Sequence, residues 1–504
     1  MIKNLFDSTP RLPVIATWRT TSADTEKPVG ISLQYQSPVA QTDKRYLSYS
    51  IDISVLVGGL WWEGSLGIRA GLGILRTEPL RIKRRKLDRL VQALGPAYLR
   101  VGGSEADKIH YFSPRFEEKD PLILTKKQWR RLHAFVRRNN LKLVFTCKYG
   151  LFRRRHHGNW HGTELEALLE YSKKKGFKID VFELGNELNA YWAFHGFTAQ
   201  PGPKNLARDY DTFAELVKTY YPKAKISGPG SAFWPRLGET IRPFTNLTES
   251  FLKQITVPLD IINWHYYPFQ SERAPFRTRT AKIKHLIDPR SFADYAVYCE
   301  RLGGWRDSLQ PKAEIWTGET GSAQCGGQPY LSDRWASAFW WADQLGQGAL
   351  HGQKVMVRQA LIGGDYGMID RHSLKPRPDY WVSWVWQQIM GRTVYLAQSD
   401  NPSVRTYLHQ HRNGKDLALM LINLSGKPQK FTLCDGSHRA ENYVLSAKKL
   451  TSRKIRINGV TPEFNKGNIQ LEDFRNTESD WELPPFSITF SRIEQTREER
   501  HGDK

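Results

Sequence analysis

The sequence predicts an α/β fold: a (β/α)8 TIM barrel with an appended antiparallel β-sandwich. Three observations point there. The central chain alternates short strand-like runs with longer helix-like ones. The strand-like runs number eight, enough to close a barrel. From about Thr393 onward the pattern changes to short strands joined by Gly, Asn and Ser turns, with no long helix between them. A chain of 504 residues is also too long for one ordinary domain.

The barrel strands are expected at Leu47–Val57, Ala97–Gly103, Leu141–Lys148, Ile179–Leu184, Lys225–Gly228, Ile261–His265, Ala313–Glu319 and Lys354–Ile362. Helical patterns lie between them at Lys126–Asn140, Gly162–Lys175, Leu206–Tyr221, Ser291–Asp307 and Ser332–Leu350. Strands of the second unit are expected at Val404–His409, Leu417–Asn423, Gln429–Leu433 and Ser487–Phe490. Val29–Tyr35 precedes the first barrel strand and is expected to add a strand to the sandwich. The domain reading is therefore an N-terminal segment 1–44 partly joining the sandwich, a catalytic barrel 45–392, a sandwich 393–493 and a flexible tail 494–504. Met1–Ala23 and Glu494–Lys504 are expected to be loosely ordered. The barrel units are the one internal repeat.

Composition narrows the function classes. A hydrophobic content of 40% with 12% aromatics fits a globular chain with a substantial core. The 17 Trp and 21 Tyr exceed what packing usually asks for; stacking on sugar rings is one use, core filling the other. The net charge of +23 points to a polyanionic partner: acidic polysaccharide, nucleic acid or a membrane surface. No nucleic-acid module is recognisable and the basic runs are scattered, so no nucleic-acid partner is expected. Cys147, Cys299, Cys325 and Cys434 show neither a C-x-x-C pair nor zinc spacing, and are read as free thiols. The opening Met1–Asp7 has no secretory apolar core. Location is left between the cytoplasm and export by a signal not visible here. Val55–Leu75 is apolar but carries Glu63 and Arg69 near its middle, which excludes it as a transmembrane segment. The oligomeric state stays open.

Two glutamates carry the chemistry. Glu187 ends Phe182-Glu183-Leu184-Gly185-Asn186-Glu187, and Glu319 ends Glu314-Ile315-Trp316-Thr317-Gly318-Glu319. A carboxylate at the tip of a barrel strand points into the catalytic mouth. Two of them on different strands are what a glycosidase needs: a proton donor, and a nucleophile or base. The alternative is a pair of solvated loop carboxylates.

Several motifs in register resemble a known family. They are Ala97-Tyr98-Leu99-Arg100-Val101-Gly102-Gly103, Glu183-Leu184-Gly185-Asn186-Glu187, Gly318-Glu319-Thr320-Gly321-Ser322-Ala323, Leu331-Ser332-Asp333, Val357-Arg358-Gln359 and Pro378-Asp379-Tyr380-Trp381. Together they resemble the heparanase and β-glucuronidase family of retaining glycoside hydrolases, family 79. The resemblance implies that Glu187 is the acid/base and Glu319 the nucleophile. It implies that Asn186 bonds the sugar 2-hydroxyl and that Tyr267 lies beside the nucleophile. Asp52 and Ser104 fall at the sugar subsite, and Gln359 and Tyr366 on its wall. The loop holding Cys325, Gly326 and Gly327 would present backbone amides to a uronate carboxylate. The chain departs from the family at Leu188, where many relatives have Pro, and at Cys325, where relatives often begin a Gly run; the Cys325 side chain would narrow the uronate's approach. No metal and no organic cofactor is required.

The basic segments divide by place. Arg81–Lys86 and Lys126–Arg131 fall on or before outer helices and read as solvated faces. Arg153, Arg154 and Arg155 follow the third strand, and Arg273, Arg277 and Arg279 the sixth. Loops after strands line the catalytic face, so these arginines are read as substrate contacts, the alternative being solvated basic loops. Only about Lys108–Lys126 separates the second strand from the next helix, where animal relatives carry an excised segment, so an active single chain is expected. The resulting reading is a heparanase-like endo-β-glucuronidase on an acidic polysaccharide. Exo action on short glucuronides is the alternative, and a non-catalytic binder of acidic glycans is the rival of a different class.

Overall fold

The structure, a computed structural model, describes residues 27–62, 75–112, 122–150, 159–234, 238–239, 246–274, 277–433, 440–464, 469–475 and 482–495. Eight parallel strands close into a barrel: Leu47–Asp52, Tyr98–Gly102, Lys142–Cys147, Val181–Leu184, Lys225–Phe233, Ile261–Tyr266, Glu314–Thr320 and Val355–Arg358. Each pairs with the next, and the last pairs with the first. All eight expected strands are present, with shifted ends that have local causes. The run Leu47–Val57 stops being a strand at Asp52, whose carboxylate accepts the Ser54 N–H at 2.8 Å and caps a short helix, Ile53–Val57. The run Lys225–Gly228 continues to Phe233 through a bulge at Gly230.

The barrel interior is layered, because alternate residues of each strand face inward. The lower layer is apolar: Tyr98, Val144, Val181, Ile261, Trp316, Val355 and Val357 form one buried cluster. Two residues further along their strands come Arg100, Thr146, Glu183 and Asn263, all buried and polar. The catalytic mouth lies above this polar layer.

The expected helices appear as Lys126–Arg138, Thr163–Lys174, Pro203–Tyr220, Asp294–Leu309 and Trp335–Leu350. Arg85–Ala93 and Pro378–Ile389 add to them. Trp335–Leu350 and Pro378–Ile389 are buried on almost every side. They lie between the barrel and an antiparallel sheet, as a helix apolar all round must.

That sheet has ten strands. Its order is Arg456–Ile457, Ala440–Ser446, Ser487–Ile493, Leu417–Asn423, Val404–His411, Met390–Ser399, Val29–Gln34, Gln429–Leu433 and Glu482–Leu483, with Ala40–Gln41 beside Met390–Ser399. Leu417–Asn423 is buried on both faces. Leu417, Leu419 and Leu421 join Val29, Ile31, Leu33, Phe431 and Leu483 in a core of the sheet's own. Ala418, Met420 and Ile422 face the barrel's core. Strands far apart in the order share the first of these cores, so the sheet folds back on itself. Met1–Ala23 and most of the tail lie outside the described residues. Among the described residues no helix is long and apolar enough to cross a membrane.

Candidate active site

Glu187 and Glu319 come together at the C-terminal mouth of the barrel. One oxygen of each and a ring nitrogen of His265 all lie within 4.8 Å of one another. Both carboxyls are buried, at 5% and 6% exposure. Two glycines help to aim them. Gly318 is the extra residue of a bulge that sets Glu319 beside His265, and a Cβ there would lie 1.7 Å from Asn263 Oδ1. Glu187 itself has φ +52°, sparsely populated for a non-glycine residue, and its N–H donates to the Gly230 carbonyl of the neighbouring bulge at 3.0 Å.

The two carboxyls meet different surroundings. Glu319 accepts from Arg100 Nη1 at 2.5 Å and from Tyr267 Oη at 2.6 Å. Burial and then the charge of Glu319 raise Tyr267 well above the usual phenol range, so its hydroxyl stays a donor. Glu187 faces His265 Nδ1 at 3.3 Å. Burial and then Arg100 push that imidazole well below its usual range, which keeps it neutral. Burial and then the charge of Glu319 push the Glu187 carboxyl well above the carboxylate range, against the opposing pull of Arg100 and a hydrogen bond from Trp234.

Arg100 organises the floor. Its other nitrogens donate to Glu183 Oε2 at 2.8 Å and to Asn186 Oδ1 at 2.9 Å. Glu183 also accepts from Thr146 Oγ1 at 2.7 Å and Asn263 Nδ2 at 2.5 Å. The Asn186 N–H donates to Asp107 at 3.0 Å. Arg100, Glu183, Asn263, Asp107 and His265 were not among the site residues expected from sequence. For all but Asp107, which ends the 3-10 turn after the second strand, the signal is a charged or polar residue at an inward position of a barrel strand, and it needs the strand's facing to be known first.

The other expected residues gather around the same mouth. Asp52 is buried at 4% exposure. Burial raises its carboxyl well above the usual range, the Ser54 N–H opposes this, and the charges of Glu319 and Glu105 add to it. Gly103 passes so close, with φ +100°, that a Cβ there would lie 2.0 Å from Asp52 Oδ2. Ser104 opens the next 3-10 turn and is half-buried. Gln359 Nε2 donates to Tyr366 Oη at 3.3 Å, and its Oε1 accepts from Ser50. Gly326 O accepts the Asp365 N–H at 2.7 Å, which ties the glycine loop to the Tyr366 wall. Cys325 has φ +53°. Burial, then the charge of Glu187, pushes its thiol up to about 12, so it stays protonated.

The arginines divide. Arg153, Arg154 and Arg155 lie outside the described residues. Arg273 is 3% exposed and donates to Gly327 O at 3.0 Å and to Asp365 at 2.6 Å; it braces the glycine loop from behind. Arg279 is half-buried, donates to the Ser291 carbonyl and lies 4.9 Å from the Phe269 ring centroid. Arg277 is exposed. Among the described residues, the group of acidic and histidine side chains close enough to hold a metal ion is Glu187, His265 and Glu319, where Arg100 already supplies the positive charge.

A family model, glycosyl hydrolase family 79, N-terminal domain, matches residues 76–346 and spans both glutamates. Heparanase-like protein 1 of Arabidopsis thaliana is 27% identical over 466 residues, covering 86% of this chain and 80% of that protein. Heparanase of Rattus norvegicus is 27% identical over 441 residues, covering 75% of this chain and 78% of that protein. Baicalin-beta-D-glucuronidase of Scutellaria baicalensis is 25% identical over 516 residues, covering 91% of each. Among solved structures, the GH51 arabinofuranosidase from Xanthomonas axonopodis pv. citri shares the fold, with a TM-score of 0.65 at 15% identity over 93% of this chain and 100% of that one. The family model takes in more than half of the sequence: the chain belongs to glycosyl hydrolase family 79 and is a glycoside hydrolase.

Proposed function

We propose that the chain is a retaining β-glucuronidase, with Glu187 as acid/base and Glu319 as nucleophile. One observation carries the reading: oxygens of the two carboxyls lie within 4.8 Å. Retaining enzymes hold their carboxyl groups ~5–5.5 Å apart, whereas inverting ones leave ~6.5–9.5 Å for a water.

The chemistry follows from the surroundings. Glu187 holds a proton and gives it to the glycosidic oxygen as the bond breaks. Glu319, held by Arg100 and Tyr267, attacks the anomeric carbon as that bond breaks and forms a glycosyl ester. That ester no longer carries the charge that helped to raise Glu187. Glu187, which has given its proton to the departing sugar, is then more easily kept as a carboxylate, and it takes a proton from the water that attacks the ester. Asn186 Oδ1 is committed to Arg100, so its Nδ2 is the end offered to the sugar 2-hydroxyl.

For the uronate, the supporting feature is the loop at Cys325 and Gly326. Gly327 N–H donates to Gln324 O at 3.2 Å. The N–H groups of Cys325 and Gly326 have no acceptor among the described residues, and two adjacent amides suit a carboxylate. Within this reading, endo action on an acidic glycan remains the first choice on the strength of the net charge of +23. Exo action on small glucuronides is the second, favoured by the match over 91% of each chain to baicalin-beta-D-glucuronidase.

The test has three parts. Glu319→Gln should abolish turnover while leaving binding largely intact. Glu187→Ala should harm substrates with poor leaving groups far more than activated aryl glucuronides. The first-formed product should keep the β configuration by NMR; an α product, or a Glu319→Gln enzyme with near-normal rates, would end the reading. Sizing the products of a heparan-type polymer separates endo from exo.

A further inference from the structure

Four loops of the catalytic face meet at Gly326. It lies after the seventh barrel strand, Glu314–Thr320, with φ +80°. A Cβ there would lie 2.6 Å from Cβ of Trp62, in the loop after the first strand. It would lie 3.4 Å from Nη1 of Arg273, in the loop after the sixth. The Gly326 carbonyl accepts the N–H of Asp365, in the loop after the eighth, at 2.7 Å. A glycine at this point lets a tryptophan and a guanidinium come close behind the Cys325 and Gly326 amides.

The charge of Arg273 is more than this junction needs. Neutral bonds already join the loops: the Gln324 N–H donates to Phe269 O at 3.0 Å, and the Glu272 N–H to Gln328 Oε1 at 2.8 Å. Arg377 ties the eighth loop separately, donating to the Gly364 and Gly367 carbonyls at 2.9 Å and 3.0 Å, with Asp370 beside it at 3.2 Å. A buried ion pair adds little stability over apolar residues of the same volume, so the Arg273–Asp365 pair calls for another explanation. Its field supplies one. The Arg273 side chain is 3% exposed and that of Asp365 22%, so water screens the carboxylate more than the guanidinium. The guanidinium is also the member of the pair that the Cys325 thiol feels. Burial and then Glu187 push that thiol up, and Arg273 pulls against them. The potential at the two amides is therefore biased positive.

We propose that Arg273 determines the preference for a uronate over a neutral hexose, by laying positive charge behind the Cys325 and Gly326 amides while Asp365 holds and moderates it. Its Nη1 and Nη2 are committed to Gly327 O and Asp365, so it acts through the loop as a positioning residue and not on the reacting atoms. The proposal rests on the reading of that loop as the uronate cradle. Two amides alone would also accept the hydroxymethyl oxygen of a glucoside. A cation behind them favours a carboxylate.

The test compares kcat and KM for an aryl β-glucuronide and for the aryl β-glucoside with the same leaving group, with thermal melts to verify the fold. Asp365→Asn keeps the shape and removes the moderating charge. It should lower KM for the glucuronide several-fold and leave the glucoside unchanged. Arg273→Met/Asp365→Asn removes both charges together and should cut the glucuronide preference about tenfold, mainly through KM, from one charge lost at short range. Arg273→Lys keeps the charge and should hold the preference close to wild type even where kcat falls. A mere brace would give an equal loss on both substrates in all three variants, and that result would overturn the proposal. So would an Asp365→Asn enzyme whose KM for the glucuronide rises, and this variant decides the matter even if the double variant fails to fold. A wild-type chain that prefers neither substrate would sink the uronate reading and the proposal with it. A wild-type preference that survives the loss of both charges would overturn the proposal and leave the uronate reading standing.

Discussion

Replacing Arg100 should disable both the fold and the chemistry, in a way that separates charge from shape. Its guanidinium is 1% exposed and donates to Glu183, Glu319 and Asn186. Arg100→Met keeps the length of the side chain and removes the charge. Glu183 and Glu319 then remain as buried carboxyls with no cation between them. Removing one partner of a buried pair costs about 3–5 kcal/mol, which for a chain of this size corresponds to a fall in Tm on the order of 3–5 °C. The charge-assisted bond to Glu319 is worth about 1.5–3 kcal/mol, so its loss alone should lower kcat by roughly 10- to 150-fold. The pH profile gives an independent sign. Arg100 pulls the Glu187 carboxyl downward. Without it Glu187 keeps its proton to higher pH, and the basic limb of kcat/KM should move up. Arg100→Lys keeps the charge but has no three-way fork; it should recover part of the Tm and most of the basic limb, but little of kcat. The assays are thermal melts and kcat/KM against pH with an aryl glucuronide. An Arg100→Met enzyme with the wild-type Tm and an unmoved basic limb would refute the reasoning.

Three further expectations follow from the same geometry. Gly103→Ala would place a Cβ 2.0 Å from Asp52 Oδ2 at φ +100°, so KM for a glucuronide should rise several-fold and Tm should fall; wild-type values for both would show that the turn can yield. Cys325→Gly removes a side chain from a left-handed position, so KM should fall with little change in Tm, while iodoacetamide at neutral pH should leave the parent enzyme active because its thiol is held protonated near 12. Stability should pass through a maximum and fall at its basic end. Burial, the largest cause in each case, raises Asp52, Glu187, Asp294, Asp365 and Asp379, and raises Glu239 to about 8. These carboxyls lose their contribution as pH rises, Glu239 between ~4.5 and ~8. Burial lowers His133 and His195 to about 3 and His409 to about 4, so the unfolded chain binds more protons at these sites below pH ~6.5, and they oppose the carboxyls there. Above pH ~6.5 the histidines no longer oppose, and Tm should decline toward pH ~8; a Tm that climbs from pH ~6.5 to ~8 would contradict this.

The barrel was legible in the sequence because parallel strands buried on both sides leave continuous apolar runs, which local composition reveals. Their ends were less so. Ile53–Val57 is as apolar as the strand before it, and only the Asp52 cap turns it into a helix. Pro378–Ile389 went unread as a helix for a related reason. Trp381, Val382, Trp384, Val385 and Trp386 are buried around its whole circumference, so no polar face marks the helical period. In the second unit, Met390–Ser399 and Ala440–Ser446 were missed. Most of Met390–Ser399 is only half-buried, and it mixes polar and apolar residues.

The site shows the same divide. Glu187 and Glu319 were readable because each closes an apolar run where a barrel presents its chemistry. What gives them different roles was not readable, since it depends on which cation or donor reaches each one. Arg100 and Tyr267 bind one carboxyl and a neutral His265 faces the other. The cation placed asymmetrically beneath them pairs with Glu319, and burial and then the charge of Glu319 raise the neighbouring Glu187 carboxyl. On the proposed roles, the difference between acid and nucleophile is set from the polar layer below the mouth, by residues that contribute no reacting atom. Exchanging only Glu187 and Glu319 for Asp should therefore weaken catalysis without exchanging their roles. Azide should rescue a Glu187→Ala enzyme with retention, giving a β-glucuronyl azide, because azide then attacks a glycosyl–Glu319 intermediate. An α-azide would place the nucleophile at Glu187 and overturn the account of the layer beneath.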